Sequence, residues 1–301
     1  MAINLGQLRV FEAVTRAGSF SRAAQQLGVT PPAVSLQIRQ LEQAQGVRLF
    51  DRVHRRVRLT PAGHRLEQYA RRIFALAADA ERALEETRGF AGGQLRLVAS
   101  ATAAAYYLPP LLTRLRRRYP GVRVHLDVGN SQRVRERIAG LEGDLGLLGV
   151  ETTHPDLVFE LLAEDPLVLI VPPGHPWARR RRISLAELRH QDVILREPGS
   201  ASRQLIERRL QNLGVQVRPA MEIGSNEVIK RAVEMGNGVS VMSAAIVRRE
   251  VEAGQLRALG VRGERLVRNI YLTYHRERRD SPLIHAVLAV ARGRRRRTSQ
   301  P

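Results

Sequence analysis

Hydrophobic positions in the first sixty residues follow the period of short amphipathic helices. Apolar side chains recur about every 3.6 residues across 4–17, and Gly18 ends this pattern. Ser21 is a suitable N-cap for a second short helix, which Gly28 closes because glycine tolerates positive φ. A third helix follows Thr30 as its N-cap. Two short helices joined by a tight glycine turn predict a helix-turn-helix.

The third helix has Pro31 at its first position, where the missing N–H costs nothing, and an apolar face through Ala33, Val34, Ile38 and Leu41. In this motif the N-terminal part of the second helix reaches base edges in the major groove. Residues 49–60 then predict a short basic hairpin, or wing, for phosphates or the minor groove. The alternative is a solvated arginine-rich bundle, which the order of these features disfavours. The candidate DNA contacts are Ser21, Pro31, Pro32, Ser35, Leu36, Arg39, Arg52, Arg55 and Arg56.

A heptad-like seam follows between Pro61 and about Thr87. Its apolar residues alternate in steps of four and three, which suits pairing of two helices. The seam either joins two copies of the chain or packs on the chain's own helix-turn-helix, and both can hold in part. Its members are Leu66, Ala70, Ile73, Ala77, Ala80 and Leu84.

Beyond residue 93, strand and helix patterns alternate, with a capping box at Ser184 and Glu187. This alternation predicts a mostly parallel sheet covered by helices. The fold class expected is α/β behind an all-α winged helix-turn-helix. We predict these segments: DNA-binding domain 1–60, linker helix 61–88, effector domain 93–292 with lobe I (93–164 and 266–292) and lobe II (165–265), and a disordered basic tail 293–301.

Hydroxyl, amide and arginine donors follow several predicted strands, where helix N-termini open into the cleft of such a domain. They suit an anion, either a carboxylate or a phosphate ester. Ser, Thr and Asn are also the preferred N-caps and would stand there without any ligand. The candidate effector contacts are Ser100, Thr102, Asn130, Ser131, Ser202, Arg203, Ser225 and Asn226.

Composition changes this picture in three ways. The absence of cysteine excludes a disulfide switch, and the eight histidines form no zinc-type pair, so no metal or cofactor is expected. The net charge of +20 suits a polyanionic partner. However, Lys230 is the only lysine, and a GC-rich coding bias that favours arginine would give the same charge. With no long apolar stretch and no leader pattern, we expect a cytoplasmic protein without a membrane partner.

The order of motifs closely resembles the LysR-type transcriptional regulators. It runs through Ser19–Ala24, Leu27–Thr30, Ala33–Ile38, Leu49–Arg52 and Leu59–Gly63. The resemblance implies a periplasmic-binding-protein-like effector domain, an operator-binding homodimer that pairs into a homotetramer, an activator role and contact with RNA polymerase. The chain has Pro31 where many members carry Gln, so an amide contact to adenine is not carried over.

The effector part is similar to regulators of carbon-dioxide fixation and of sulfur or nitrogen assimilation, on Arg196–Arg203, Gly224–Glu227 and Gly236–Val239. Two alternatives compete with a regulator. The first is an enzyme fused to a DNA-binding head, but the sequence contains no Gly-x-Ser-x-Gly, Walker-type or dinucleotide-binding fingerprint. A non-specific architectural DNA-binding protein fits the charge, but it leaves the cleft donors unexplained.

Overall fold

The computed structural model describes residues 3–53, 56–86, 93–149, 154–263 and 265–292. The chain divides into two compact units, Met1–Arg88 with Gly140–Glu142, and Gly89–Ala139 with Gly143–Pro301. The predicted basic tail, 293–301, lies outside the described residues. In these ranges no helix combines the length and the apolar character that a membrane span needs.

The N-terminal unit is a winged helix-turn-helix followed by one long helix. Its elements are α1 (Leu5–Ala17), α2 (Phe20–Leu27), α3 (Pro31–Gln45), β1 (Phe50–Val53), β2 (Arg56–Leu59) and α4 (Pro61–Glu86). Asn4 caps α1, because its side-chain oxygen accepts hydrogen bonds from two backbone N–H groups of the first turn. The first three helices each end at a glycine with positive φ, namely Gly18, Gly28 and Gly46.

The prediction that Ser21 caps the second helix is wrong. The helix begins at Phe20, and Ser19 is the N-cap, with its Oγ 3.5 Å from the backbone nitrogen of Arg22. Phe20 packs edge-on against Phe50, with ring centroids 5.6 Å apart. Packing this partly buried ring against the core as the first helical residue sets the start two positions earlier than expected.

The core of the N-terminal unit holds most of the residues that the helical period predicted, but Leu5 at the start of α1 is 58% exposed. Ala33 is exposed, although it was expected on the apolar face of α3. Thr30 is the N-cap of α3, as predicted, but its side chain makes no capping hydrogen bond. The fully buried side chains include Leu8, Phe11, Val34, Ile38, Leu41 and Leu49.

The seam along α4 is divided between two surroundings. Ala70 is buried in the core of the N-terminal unit, and Leu66 and Ile73 pack against the same core. The first half of the seam therefore serves the chain's own helix-turn-helix. The second half of the seam, at Ala77, Ala80 and Leu84, is exposed, and so are Tyr69 and Leu76 beside it.

The C-terminal unit has two α/β lobes built on one large sheet. Its strands are β3 (Gln94–Ser100), β4 (Arg123–Gly129), β5 (Leu145–Gly149), β6 (Leu157–Val171), β7 (Arg182–Ile183), β8 (Val193–Arg196), β9 (Pro219–Ile223), β10 (Ser240–Ser243), β11 (Arg257–Val261) and β12 (Val267–His275). Its α-helices are α5 (Leu108–Arg118), α6 (Ser131–Ala139), α7 (Ala201–Asn212), α8 (Asn226–Glu234), α9 (Ala244–Glu252) and α10 (Pro282–Arg292). A π-helix, Ala103–Tyr107, precedes α5, and short 3₁₀ helices span Pro176–Arg179, Leu185–His190 and Arg276–Arg278.

The large sheet is mixed, so the prediction of a mostly parallel sheet is wrong. Its strand order is β4-β3-β5-β12-β6-β11-β7, with β10 also beside β6 and a separate pair β8-β9. β3 pairs parallel with β4 and with β5. β12 pairs antiparallel with β5 and with β6, and β6 also pairs antiparallel with β11 and with β10.

Two long strands cause this difference. β6 begins at Leu157, whereas the apolar pattern predicts a strand only over 167–171. The prediction missed the first ten residues because Glu160, Glu164 and Asp165 interrupt the apolar pattern there. It pairs with β12 from Leu157 opposite His275 to Pro166 opposite Val267. The sequence pattern also missed α9 and β11. The capping box at Ser184 and Glu187 is confirmed.

Helices cover both faces of the sheet in each lobe. In lobe I, one face packs on α5 and α10 through Leu111 and Ile284, and the other packs on α6 through Ile138. In lobe II, α7 covers one face through Ile206, while α8 and α9 cover the other. These layers fix where the strand ends and the helix N-termini meet.

Candidate DNA-binding surface and effector cleft

The N-terminal half of α3 presents the predicted base-reading surface. Pro31, Pro32 and Arg39 are exposed, and so is half of the Leu36 side chain. Ser35 is half-buried, and its carbonyl oxygen accepts a hydrogen bond from Nε of Arg39 at 3.3 Å. The terminal nitrogens of Arg39 donate to no residue in the described part of the chain, so they are available to DNA. Ser21 is exposed in the first turn of α2.

The wing is fastened to α3 by one carboxylate. Oε1 of Glu42 accepts from the backbone N–H groups of Leu49 and Phe50, at 2.8 and 3.2 Å. The backbones of Arg52 and Arg56 lie on the two wing strands, in register with their partners. Their side chains, and all of Arg55, lie outside what the structure describes, so their DNA contacts stay predictions.

Three predicted effector contacts from lobe I are buried at the carboxyl ends of β3 and β4. Ser100, Thr102 and Ser131 are each at most 7% exposed. Thr102 has helical φ and ψ and makes no capping bond, so it lies within the first turn and not at its N-cap. Asn130 caps α6, since its Oδ1 accepts from the backbone N–H of Arg133 at 2.9 Å.

The predicted contacts from lobe II form a polar group at the N-termini of α7 and α8. The hydroxyls of Ser200 and Ser202 lie 3.0 Å apart and are buried. Ser225 caps α8 with its Oγ, 3.4 Å from the nitrogen of Val228. Asn226 accepts from Nη1 of Arg196 at 2.5 Å, which links the start of α8 to the end of β8.

Arg203 is already engaged within lobe II. Its guanidinium donates to Glu207, to Glu222 and to the carbonyl oxygen of Arg196, at 2.6, 3.0 and 2.9 Å. The hydrogen bond from Arg203 lowers the pKa of Glu222 below its ordinary value. The charge of Arg203 is therefore balanced by two carboxylates.

The two lobes meet on the α6 side of the cleft. The backbone N–H of Gln132 donates to the carbonyl oxygen of Gly199 at 3.1 Å, and Nδ2 of Asn130 donates to that of Pro198 at 3.2 Å. Gly199 has φ +86°, and a Cβ there would lie 2.7 Å from Oε1 of Gln132. Only glycine permits this approach.

Sequence reasoning missed the charged residues of the cleft floor. Arg268 on β12 and Asp165 on β6 face each other across the ladder and form a buried ion pair. Arg196 is likewise buried at the end of β8. A charged residue within an otherwise apolar strand was the available signal. Among the described residues no group of three or more metal-ligating side chains occurs.

Comparison with known proteins identifies both units. Residues 5–64 match the bacterial regulatory helix-turn-helix protein, lysR family, and residues 88–296 match the LysR substrate binding domain. The chain belongs to the LysR family of transcriptional regulators. The fold class and the non-enzymatic, DNA-binding class expected from the sequence are confirmed.

The relatives of this chain include regulators that are named for the RuBisCO operon. The chain is 39% identical to the RuBisCO operon transcriptional regulator of Allochromatium vinosum over 94% of this chain and 93% of that one. It is 35% identical to the HTH-type transcriptional activator CmpR of Synechocystis, over 91% and 90%. The regulatory domain of Synechocystis CcmR, solved with 2-PG, is 30% identical, with TM-score 0.62 over 67% of this chain and 96% of that one.

Proposed function

We propose that this LysR-type protein binds its operator as a dimer and activates carbon-dioxide-fixation genes in response to a small anionic metabolite held between the two lobes. A carboxylate or a phosphate ester is the class of effector that the cleft donors suit. The relatives named for the RuBisCO operon, and the 2-PG bound by the CcmR domain, support this choice.

The observation that carries the proposal is a set of three hydroxyls from mostly buried residues of lobe I. Those of Ser100, Thr102 and Ser131 hydrogen bond to no residue in the described part of the chain, and none is among its fully buried unpaired atoms, so each is open to a ligand. An anion supplies an acceptor for all three, and hydrogen bonds to a charged partner are stronger than those between neutral groups. The first N–H groups of α7 add donors from the opposite lobe.

We expect Thr102→Ala to weaken 2-PG binding by about tenfold or more, since a hydrogen bond to a charged acceptor contributes roughly 1.5–3 kcal/mol. Operator affinity without effector should stay unchanged. Calorimetric titration with 2-PG gives the first quantity, and titration of operator DNA without 2-PG gives the second. Thr113→Ala is the control, because this exposed threonine of the same helix bonds only its own turn. If the 2-PG titration curves of Thr102→Ala and wild type coincide, Thr102 does not contact the effector and has only a packing role.

On the DNA side, we expect Ser35→Ala and Arg39→Ala to lose preference for the operator over random DNA, by roughly 1–3 kcal/mol per base contact. Arg58→Ala, exposed on the wing strand β2, should instead weaken both DNAs alike and lower the salt slope by about one. Binding titrations at several salt concentrations measure both effects. A wing variant that changed only sequence preference would reverse these roles.

The proposed assembly uses two surfaces. The exposed face of α4 supplies the dimer seam. The edge strand β4 exposes Val124, Leu126 and Val128 on one face, which suits a second contact that joins dimers into a tetramer. We further propose that the protein acts in the cytoplasm, where it contacts operator DNA and RNA polymerase.

The alternative that the charge alone suits, a non-specific architectural protein, is disfavoured by the family to which the chain belongs. Footprinting on the DNA upstream of the protein's own target genes, at about 150 mM salt, separates the two functions. We expect one protected region of two half-sites about one helical turn apart. Uniform protection along the fragment would favour the architectural role.

A further inference from the structure

Asp165 is a completely buried carboxylate at the crossing between the lobes. Its Oδ1 accepts hydrogen bonds from the hydroxyls of Tyr107 and Ser243, at 2.8 and 2.5 Å. Its Oδ2 accepts from Nε of Arg268 at 3.1 Å and also from Nη2 of Arg268. Two hydroxyls and one guanidinium therefore share a single negative charge.

The partners of Asp165 come from different parts of the effector domain. Tyr107 is the last residue of the π-helix in lobe I. Ser243 is the N-cap of α9 in lobe II, and its Oγ also lies 3.2 Å from the backbone nitrogen of Ala245. Arg268 lies directly opposite Asp165, on β12, and β12 and β6 are the two strands that cross between the lobes. The Asp165 carboxylate on β6 therefore contacts one residue of lobe I, one residue of lobe II and one residue of β12.

The same arginine reaches the floor of the cleft. A Cβ placed on Gly149, at the end of β5, would lie 2.5 Å from Cδ of Arg268 and 3.0 Å from Cβ of Ala201, the first residue of α7. The arginine stem therefore runs between a strand end of lobe I and a helix N-terminus of lobe II. Its Nη1 donates to no other residue within the described ranges.

The π-helix adds a second contact of the same kind. Next to Tyr107, the hydroxyl of Tyr106 lies 3.4 Å from the carbonyl oxygen of Ile246 on α9. A π-turn widens the helix by one residue, and such turns occur often at functional positions. Here the π-helix directs Tyr106 toward α9 of lobe II and Tyr107 toward Asp165 on β6. This helix begins at the turn that carries Thr102.

We propose that Asp165 is a positioning residue that couples the effector to the arrangement of the lobes, an inference that rests on the proposed function. Asp165 holds Arg268 at the cleft floor. An anion in the cleft competes for this guanidinium, because charge-assisted hydrogen bonds form to either negative partner. The weakened bond to Arg268 loosens the carboxylate that holds Tyr107 and Ser243, and the lobes rearrange.

Asp165→Asn tests this coupling, because it keeps the shape of the side chain and removes the competing charge. We expect the full-length variant to bind 2-PG about tenfold more tightly, since a nearby unit charge of the same sign as the ligand is gone. Operator bending should no longer respond to 2-PG. Calorimetry and bending measured on the same samples separate affinity from response. A residue that only supports the fold would lower affinity and stability together.

Tyr107→Phe keeps the test decisive if the asparagine variant folds poorly, because it removes one hydroxyl from the carboxylate and keeps the aromatic ring. We expect unchanged 2-PG affinity and a bending response reduced by at least half. Tyr106→Phe serves as the comparison, since its hydroxyl contacts α9 without touching Asp165.

The outcomes distinguish the coupling from the function on which it rests. If the wild type responds to 2-PG and both the Asp165 and Tyr107 variants respond equally, the coupling is wrong and the effector site stands. If the wild type takes up neither 2-PG nor inorganic phosphate, the proposed function and the coupling fail together. Tighter binding with a lost response supports both.

Discussion

Leu76→Asp should separate the dimer and lower operator affinity by about 100-fold or more. Leu76 lies on the exposed apolar face of α4 and is 44% exposed, near Tyr69, which is 57% exposed. Across a two-fold axis the introduced carboxylate meets its own copy, and an unpaired buried charge costs several kcal/mol. Each 1.4 kcal/mol is a factor of ten in affinity. Light scattering and operator titration measure the two losses.

The matched control is Gln68→Asp, which adds the same charge on a different side of α4. It should leave both the assembly and the operator affinity unchanged. Ile73→Asp is a poorer test, because Ile73 also packs on the core of the helix-turn-helix, so unfolding and dissociation would coincide. An undiminished dimer in Leu76→Asp would move the seam elsewhere on the chain.

Asp144→Ala should destabilise the effector domain by about 3–5 kcal/mol, because it removes a buried carboxylate to which two arginines and a backbone N–H donate. Asp144 accepts from the backbone N–H of Arg96 at 2.7 Å and from Nη1 of Arg278 at 2.7 Å, and Arg278 is 5% exposed. A domain of this size then loses roughly 6–20 °C in Tm, at about 2–4 °C per kcal/mol. Scanning calorimetry of the full chain measures this loss.

Asp127→Ala is the control for the buried network. Asp127 lies in the same lobe and pairs with Arg137 at 2.7 Å, a hydrogen bond that lowers the pKa of the Asp127 carboxyl. Its side chain is 42% exposed, so the pair contributes only about 0–1 kcal/mol. Equal losses in the two variants would show that burial does not set the importance of Asp144.

Local signals made the N-terminal unit readable from sequence. Glycines at 18 and 28, the cap at Thr30 and the apolar period around Phe11 act within a few residues, so pattern and structure agree there. Ser21 failed because Ser19 is an equally good capping residue. The choice between them depends on the packing of Phe20 against Phe50, which are thirty residues apart.

The predicted effector contacts show the same division. Capping preferences placed Ser131 and Ser225 at helix starts, which is where the structure has them, and hydropathy placed Ser100 at the end of a strand. That the lobe I hydroxyls stay without partners in the described chain depends on neighbours far away in sequence. The occupied guanidinium of Arg203 depends on Glu222, nineteen residues later.

The sequence by itself determined the class of this protein: the helix-turn-helix, the wing, the long linker helix and the alternating effector domain follow from periodicity, caps and turns. Tertiary structure decided which apolar face of α4 stays open, because Ala70 was needed by the core. It also decided that Asp165 and Arg268, 103 residues apart, share one buried site. Periodicity records the short-range preferences of the chain, whereas these choices arise where distant strands compete for the same partners.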